Sequence, residues 1–150
     1  MKLKVLLQPE CTKVLSDCQS KKKILEHIAE IASSQLPDLN CSEVLASLMN
    51  REKLGSTGIG NGVAIPHGKI KPEGNKVVAV LLVSHPAVDY DAIDNRPVDV
   101  FCALIVPEDQ CETHLQTLAN IAEIFDNKEI LRKIRGAKTD NDLYNIIEAA

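Results

Sequence analysis

The stretch KVVAVLLVSHPAVDYDAIDNRPVDVFCALIV, residues 76–106, decides how this chain folds. Its two ends, Lys76 to Ser84 and Val98 to Val106, are nearly unbroken apolar runs. A strand with one wet face alternates apolar and polar residues; continuous runs belong to strands covered on both faces. Between them DYDAIDNRP supplies Asp, Asn and Pro, the chemistry of a turn. The two runs are therefore predicted to form an antiparallel pair.

Covering both faces takes two layers of helix, and the flanking sequence provides them. Upstream, Ser20 opens SKKKILEHIAEIASSQL, where Ile24, Ile28, Ile31 and Gln35 mark one helical face, widened by Leu25 and Ala32. Leu36-Pro37-Asp38 breaks it. Asn40 and Glu43 stand at capping-box spacing ahead of Val44, Leu45, Leu48 and Met49, an amphipathic helix reaching about Lys53. Downstream, Asp109 with Glu112 and Asp126 with Glu129 repeat that spacing, predicting helices near 110–125 and 127–135. Thr139 with Asp142 caps a last helix, DLYNIIEA. Residues 2–7 are expected to form a short first strand, and Val63 to Pro66 another. The expected fold class is α/β: one three-layer α/β/α domain over residues 1–150 with a mixed sheet. Its predicted order is strand, two helices, three strands, three helices.

Composition narrows function. A chain of 150 residues can bury a core without disulfide or metal staples. With a net charge of −4, no Trp, two Phe and two Tyr, it has little to stack on bases and repels phosphate backbones. Nucleic acid is not an expected partner. The apolar run in MKLKVLLQPE is too short for a secretory signal, and no stretch approaches a membrane span in length. Five cysteines (Cys11, Cys18, Cys41, Cys102, Cys111), odd in number and without a C-x-x-C pair, read as reduced thiols of a soluble cytoplasmic protein. Cys111 and His114 have ligand-like spacing, but no second pair accompanies them, so no metal is expected.

Residues 51–70, REKLGSTGIGNGVAIPHGKI, suit neither a helix nor a regular strand. Gly58, Gly60 and Gly62 can adopt φ > 0 and let a bound group approach the backbone N–H donors. A dinucleotide fingerprint fails, because Val63 stands where the third glycine belongs and a strand follows. A Walker loop fails as well: one residue too many separates Gly62 from Gly68, and Ile70 replaces the Ser/Thr. No cofactor is expected. Pro66 fixes its own φ and biases Ile65 toward extended geometry, while Gly68 is expected to let the chain turn away. His67 would then sit at a strand end with one ring nitrogen exposed and the other on a backbone partner. Taken alone, the segment fits two readings equally: a nucleophile over an anion cup, or a tight turn with an incidental histidine.

The wider pattern separates them. Glu52, Ile59, Gly60 and the run Val63-Ala64-Ile65-Pro66-His67-Gly68 resemble, in type and spacing, the phosphorylation-site signature of the mannitol/fructose-class (type-2) enzyme IIA domains of the bacterial phosphotransferase system. The resemblance covers essentially the whole chain. SKKKILE, STGIGNGVAIPHGK, DAIDNRPVD and LIVPEDQCETHLQTL look closest to the nitrogen-regulatory branch of that family. It implies that His67 accepts a phosphoryl group, with Arg51 and His114 completing the site. It also implies an HPr-like phosphocarrier as donor and regulatory targets such as potassium-transport or sensor proteins. Amides from Ser56, Thr57, Gly58 and Gly60 are candidate phosphate donors; the Ser56 and Thr57 hydroxyls are equally explained as turn-stabilising groups. In isolation Arg51 reads as a macrodipole partner at a helix end and His114 as a satisfied boundary residue on an amphipathic helix. His27 reads as structural, His85 before Pro86 as an exposed turn residue, and Lys21 to Lys23 as a solvated first turn. Two alternatives accompany the regulatory reading: a IIA component passing phosphate to a IIB domain of a fructose- or mannitol-type permease, and a binding module without phosphotransfer. No permease segment is expected to be fused, which would favour regulation.

Overall fold

The two apolar runs form the centre of a sheet. In the computed structural model, which describes residues 2–72 and 76–150, the elements run α1 (Leu3–Leu6), β1 (Leu7–Leu15), α2 (Lys21–Ser33), α3 (Cys41–Glu52), β2 (Gly58–Gly60), β3 (Val63–Ala64) and β4 (His67–Ile70). There follow β5 (Val78–Val88), β6 (Val98–Pro107), a 3₁₀ turn (Glu108–Gln110), α4 (Leu115–Phe125), α5 (Lys128–Gly136) and α6 (Asp140–Ala149). The strands lie in the order β1-β5-β6-β3-β2, with β4 also on β6. β5 and β6 are antiparallel, as expected; β1 is parallel to β5, and β3 and β4 are parallel to β6. The sheet is therefore mixed.

Strand periodicity of two sends alternate residues of each run to opposite faces. Val80 and Leu82 of β5, with Phe101 and Ala103 of β6, pack on Ile24, Leu25 and Ile28 of α2 and Val44 and Leu48 of α3. Leu81 and Val83, with Cys102 and Leu104, pack on Ile121 and Phe125 of α4, Ile134 of α5 and Leu143 and Ile147 of α6. Each Val, Leu, Ile or Phe among them contributes about 1.5–3 kcal/mol on burial. Three helix starts are capped as predicted: Ser20 accepts from the Lys23 amide, Asn40 from Glu43 and Thr139 from Asp142.

Four local expectations are corrected. Residues 3–6 are a helical turn: Leu3 and Leu7, four apart, are buried in the second core while Val5 between them is exposed, a pattern that a strand's alternation would not give. The first strand follows at Leu7–Leu15, with its register shifting between Leu7 and Thr12, around Pro9. The helix expected from residue 110 starts at Leu115, and no side chain caps it or the preceding 3₁₀ turn, so the Asp109–Glu112 box does not form. α5 is capped by Asn127, whose carboxamide accepts from the Glu129 and Ile130 amides. Asp126 is still in αR geometry as the C-cap of α4, which leaves Asn127 as the first extended residue. Lastly, exposed His85 lies within β5, where the register shifts between Val83 and Val88, rather than in a separate turn.

Candidate functional site

The glycine segment is built from both ends. On the helix side, Arg51 and Glu52 close α3, and the Arg51 Nη1 donates to the Gly55 carbonyl at 2.8 Å. The Glu52 side chain is only 6% exposed, so its charge needs partners. It receives the Lys21 ammonium at 2.9 Å, the Thr57 amide at 3.2 Å and the Thr57 hydroxyl. Lys21 also sits 4.5 Å above the ring of Tyr90, a cation–π contact. Tyr90 is fully buried, edge-on to Phe101 with ring centroids 5.3 Å apart. Lys21 is thus a buried-pair partner and not the solvated residue its lysine run suggests; Lys22 and Lys23 are exposed.

Beyond Thr57 the chain makes a small hairpin, with β2 antiparallel to β3. Asn61 and Gly62 join them with φ of 58° and 78°. Both values lie in the left-handed region that a two-residue hairpin turn demands, and Asn-Gly meets that demand best. β3 and β4 then lie along β6 in one register: Val63 opposite Val100, Ala64 opposite Phe101 and His67 opposite Leu104. They are one strand interrupted at Ile65 and Pro66. His67 therefore opens β4 instead of closing a strand, and Gly68 continues the strand instead of turning the chain. What glycine provides there is space: a Cβ would lie 2.8 Å from the Ser47 Oγ. That hydroxyl accepts from the Lys69 amide at 2.7 Å and donates to the Lys69 carbonyl at 2.8 Å, fastening β4 to α3.

These two constructions bring Arg51 and His67 together. The Arg51 Nε donates to His67 Nε2 at 3.1 Å, and His67 Nδ1 lies 3.0 Å from the Ile65 carbonyl. A guanidinium can only donate, so Nε2 must be the lone-pair nitrogen and Nδ1 must carry the proton. The geometry assigns the tautomer. Burial lowers the ring's pKa below the usual imidazole value, and the Arg51 charge lowers it further, against the raising effects of the Ile65 carbonyl and Glu52. The ring is neutral at neutral pH. It borders a pocket of about 790 Å³ also lined by Arg51, Leu54, Ser47, Lys69 and Glu108.

The remaining expected residues take other places. His114 is buried (3% exposed) just ahead of α4, with Nδ1 3.0 Å from the Thr117 hydroxyl. Burial lowers its pKa too. Among the described residues no hydrogen bond joins it to His67 or Arg51. The Thr57 amide and hydroxyl are held by Glu52, and the Gly58 amide is held by the Ser56 hydroxyl at 3.1 Å, which itself donates to the Tyr90 carbonyl at 2.9 Å. Gly58 and Gly60 belong to β2, and a Cβ on Gly58 would lie 2.7 Å from that of Ala92. Ser56, Thr57 and Gly58 thus serve the loop's own bonding in this structure. Sequence reading missed Lys21 and Tyr90 as parts of this site and gave Glu52 no contact; the signal available was one acidic residue directly after Arg51.

Among the described residues there is no group of three His, Cys, Asp or Glu side chains able to hold a metal ion, and no helix long and apolar enough to cross a membrane. Residues 5–150 match the family described as phosphoenolpyruvate-dependent sugar phosphotransferase system, EIIA 2. A nitrogen regulatory protein of Klebsiella oxytoca is 46% identical over 150 residues, covering 100% of this chain and 92% of that protein. One from Escherichia coli (strain K12) is 46% identical over 147 residues, covering 98% and 90%. The crystal structure of the nitrogen regulatory protein IIA-Ntr from Neisseria meningitidis superposes with a TM-score of 0.86 at 30% identity, covering 97% of this chain and 98% of that one.

Proposed function

The chain belongs to the phosphotransferase-system EIIA type-2 family, with nitrogen regulatory proteins among its full-length relatives, and from that premise we propose that it is a phosphocarrier accepting a phosphoryl group on His67 Nε2. The donor is the phosphohistidine of an HPr-like carrier, and the whole chain, residues 1–150, acts as one IIA domain. The observation that carries this reading is the His67 ring itself: neutral, with Nδ1–H on the Ile65 carbonyl and the Nε2 lone pair toward Arg51 at the pocket.

The step follows from that geometry. The Nε2 lone pair attacks the donor's phosphorus; a new P–N bond forms as the donor's P–N bond breaks, and the donor ring leaves with the electron pair. His67 needs no base, because the attacking nitrogen carries no proton. As the ring becomes positive, the Ile65 carbonyl on Nδ1–H stabilises it. Exchange of one P–N bond for another is nearly balanced and requires neither ATP nor metal. The Arg51 guanidinium, released from Nε2, presents its planar fork to the equatorial oxygens, where charge spreads in the transition state. A preorganised donor of this kind contributes about 2–4 kcal/mol in a site closed to water. His114 is assigned a donor role toward the same oxygens when the carrier closes the site. Leu54 and Ile59, 84% and 46% exposed, offer apolar surface to the carrier.

Phosphorylation state then governs which regulatory target is bound, potassium-transport or sensor proteins being the class implied. The full-length likeness to nitrogen regulatory proteins supports this over delivery to a sugar permease. Incubation with phosphorylated carrier tests the reading: an acid-labile phosphate appears on wild type and is absent from His67→Ala. Label persisting in that variant would end the assignment.

A further inference from the structure

Glu52 touches neither the pocket nor, among the described bonds, the His67 ring, yet its carboxylate collects three polar contacts from two other parts of the chain. Lys21 comes from the start of α2, and the Thr57 amide and hydroxyl come from the loop. Thr57 leads onward. Its carbonyl accepts from the Ile65 amide at 3.0 Å, and the Ile65 carbonyl is the group that holds His67 Nδ1–H. A path of one ion pair, hydrogen bonds and single residues therefore runs from Lys21 through Glu52, Thr57 and Ile65 to the imidazole.

The path controls where one proton sits. Released from the Ile65 carbonyl, the imidazole has only the Arg51 contact left to hold its tautomer, and a molecule that gives up that contact and carries the proton on Nε2 has no lone pair there for attack. Ile65 is held against this through its amide by the Thr57 carbonyl, and Thr57 is held by a buried carboxylate that would be destabilising without Lys21. Tyr90 closes the other side, its hydroxyl 3.4 Å from that of Thr57.

We infer that Glu52, countered by Lys21, is a positioning residue that acts through Thr57 and Ile65 to keep the His67 proton on Nδ1 and so leave Nε2 ready to attack. The inference rests on the reading of His67 as the phosphoryl acceptor.

Glu52→Gln tests it, with two readouts. The first needs no donor: ¹⁵N-edited NMR of the His67 ring reports the tautomer directly. Wild type is expected to show the Nδ1–H form alone and Glu52→Gln a mixture. The ring's pKa should also fall, since Glu52 raises it against burial and Arg51. The second is the initial rate of phosphoryl transfer, expected to drop by about 10- to 100-fold, the scale of a small misplacement of a reacting group. The final label per molecule stays unchanged, because the acceptor remains. Thr57→Val, which keeps the shape and removes the hydroxyl, should move both readouts the same way by less, and it decides the matter should Glu52→Gln fail to fold. A folded variant that retains the pure Nδ1–H tautomer and the wild-type rate would overturn the inference. If wild type accepts no phosphate, the acceptor reading falls, while the tautomer comparison still decides the role of Glu52.

Discussion

The two histidines of the proposed site are held in opposite ways. His67 is gripped at both ring nitrogens by groups from other residues, Ile65 and Arg51, inside a strand register fixed by β6. His114 stands at the uncapped start of α4, and its described partner is Thr117, one turn along the same helix. One ring is set by tertiary structure before any partner arrives. The other is set locally, by a helix terminus that follows a 3₁₀ turn and lacks a side-chain cap. A nucleophile needs its lone pair aimed in advance, whereas a donor to phosphoryl oxygens has only to come within reach once the carrier has docked.

The largest effect should fall on the gripped side. Arg51→Ala removes both the contact to Nε2 and the fork for the oxygens, and transfer is expected to slow by about 10²- to 10³-fold with the fold intact. Quenched-flow transfer and circular dichroism check this; an unchanged rate would remove Arg51 from the chemistry. His114→Ala should cost less, about 10- to 100-fold, the scale of one hydrogen bond to a charged group, with the tautomer of His67 unmoved in NMR. A shift of that tautomer would show that the two rings are not independently held.

Packing gives the next contrast. Gly58→Ala drives a methyl into Ala92, at 2.7 Å from its Cβ and 2.9 Å from its Cα, so stability should fall by about 1–3 kcal/mol in urea unfolding. Gly136→Ala, within α5 and with nothing within 4 Å of the added Cβ, is the control, expected to raise stability by about 0.4–1 kcal/mol. The smallest effect is on pH. Both histidine pKa values are lowered by burial, so the unfolded chain binds more protons in acid. Their stabilising contribution is complete above the unfolded value of about 6.5 and is lost as pH falls through the folded values. The urea midpoint should decline below that point, and His67→Gln should flatten part of the decline.

The same contrast explains what was legible in sequence. β5 and β6 announce themselves because both their faces are apolar, and Ser20, Asn40 and Thr139 because a cap is a local event. His67 and Arg51 were readable from the signature, and the structure brings them within a hydrogen bond. The role of Gly68 was not, because it depends on Ser47, twenty-one residues earlier in the chain. Nor was that of Lys21, whose partner Glu52 lies on the next helix. Asp109 and Asp126 mimic caps in spacing, but helix boundaries are decided by backbone geometry that spacing does not encode. Asn61–Gly62 is a dipeptide suited to a hairpin turn, and the glycines before it mask that signal.

The 3.1 Å contact between Arg51 and His67 has one more consequence. On the proposed reading, the attacking nitrogen of the resting molecule is stoppered by the cation assigned to assist it. A neutral electrophile meeting this ring finds its electrons already engaged, and only a group bearing enough negative charge to draw the guanidinium aside uncovers them. If His67 is the acceptor, selectivity for an anionic donor is exercised before any bond is made, by the arginine changing sides.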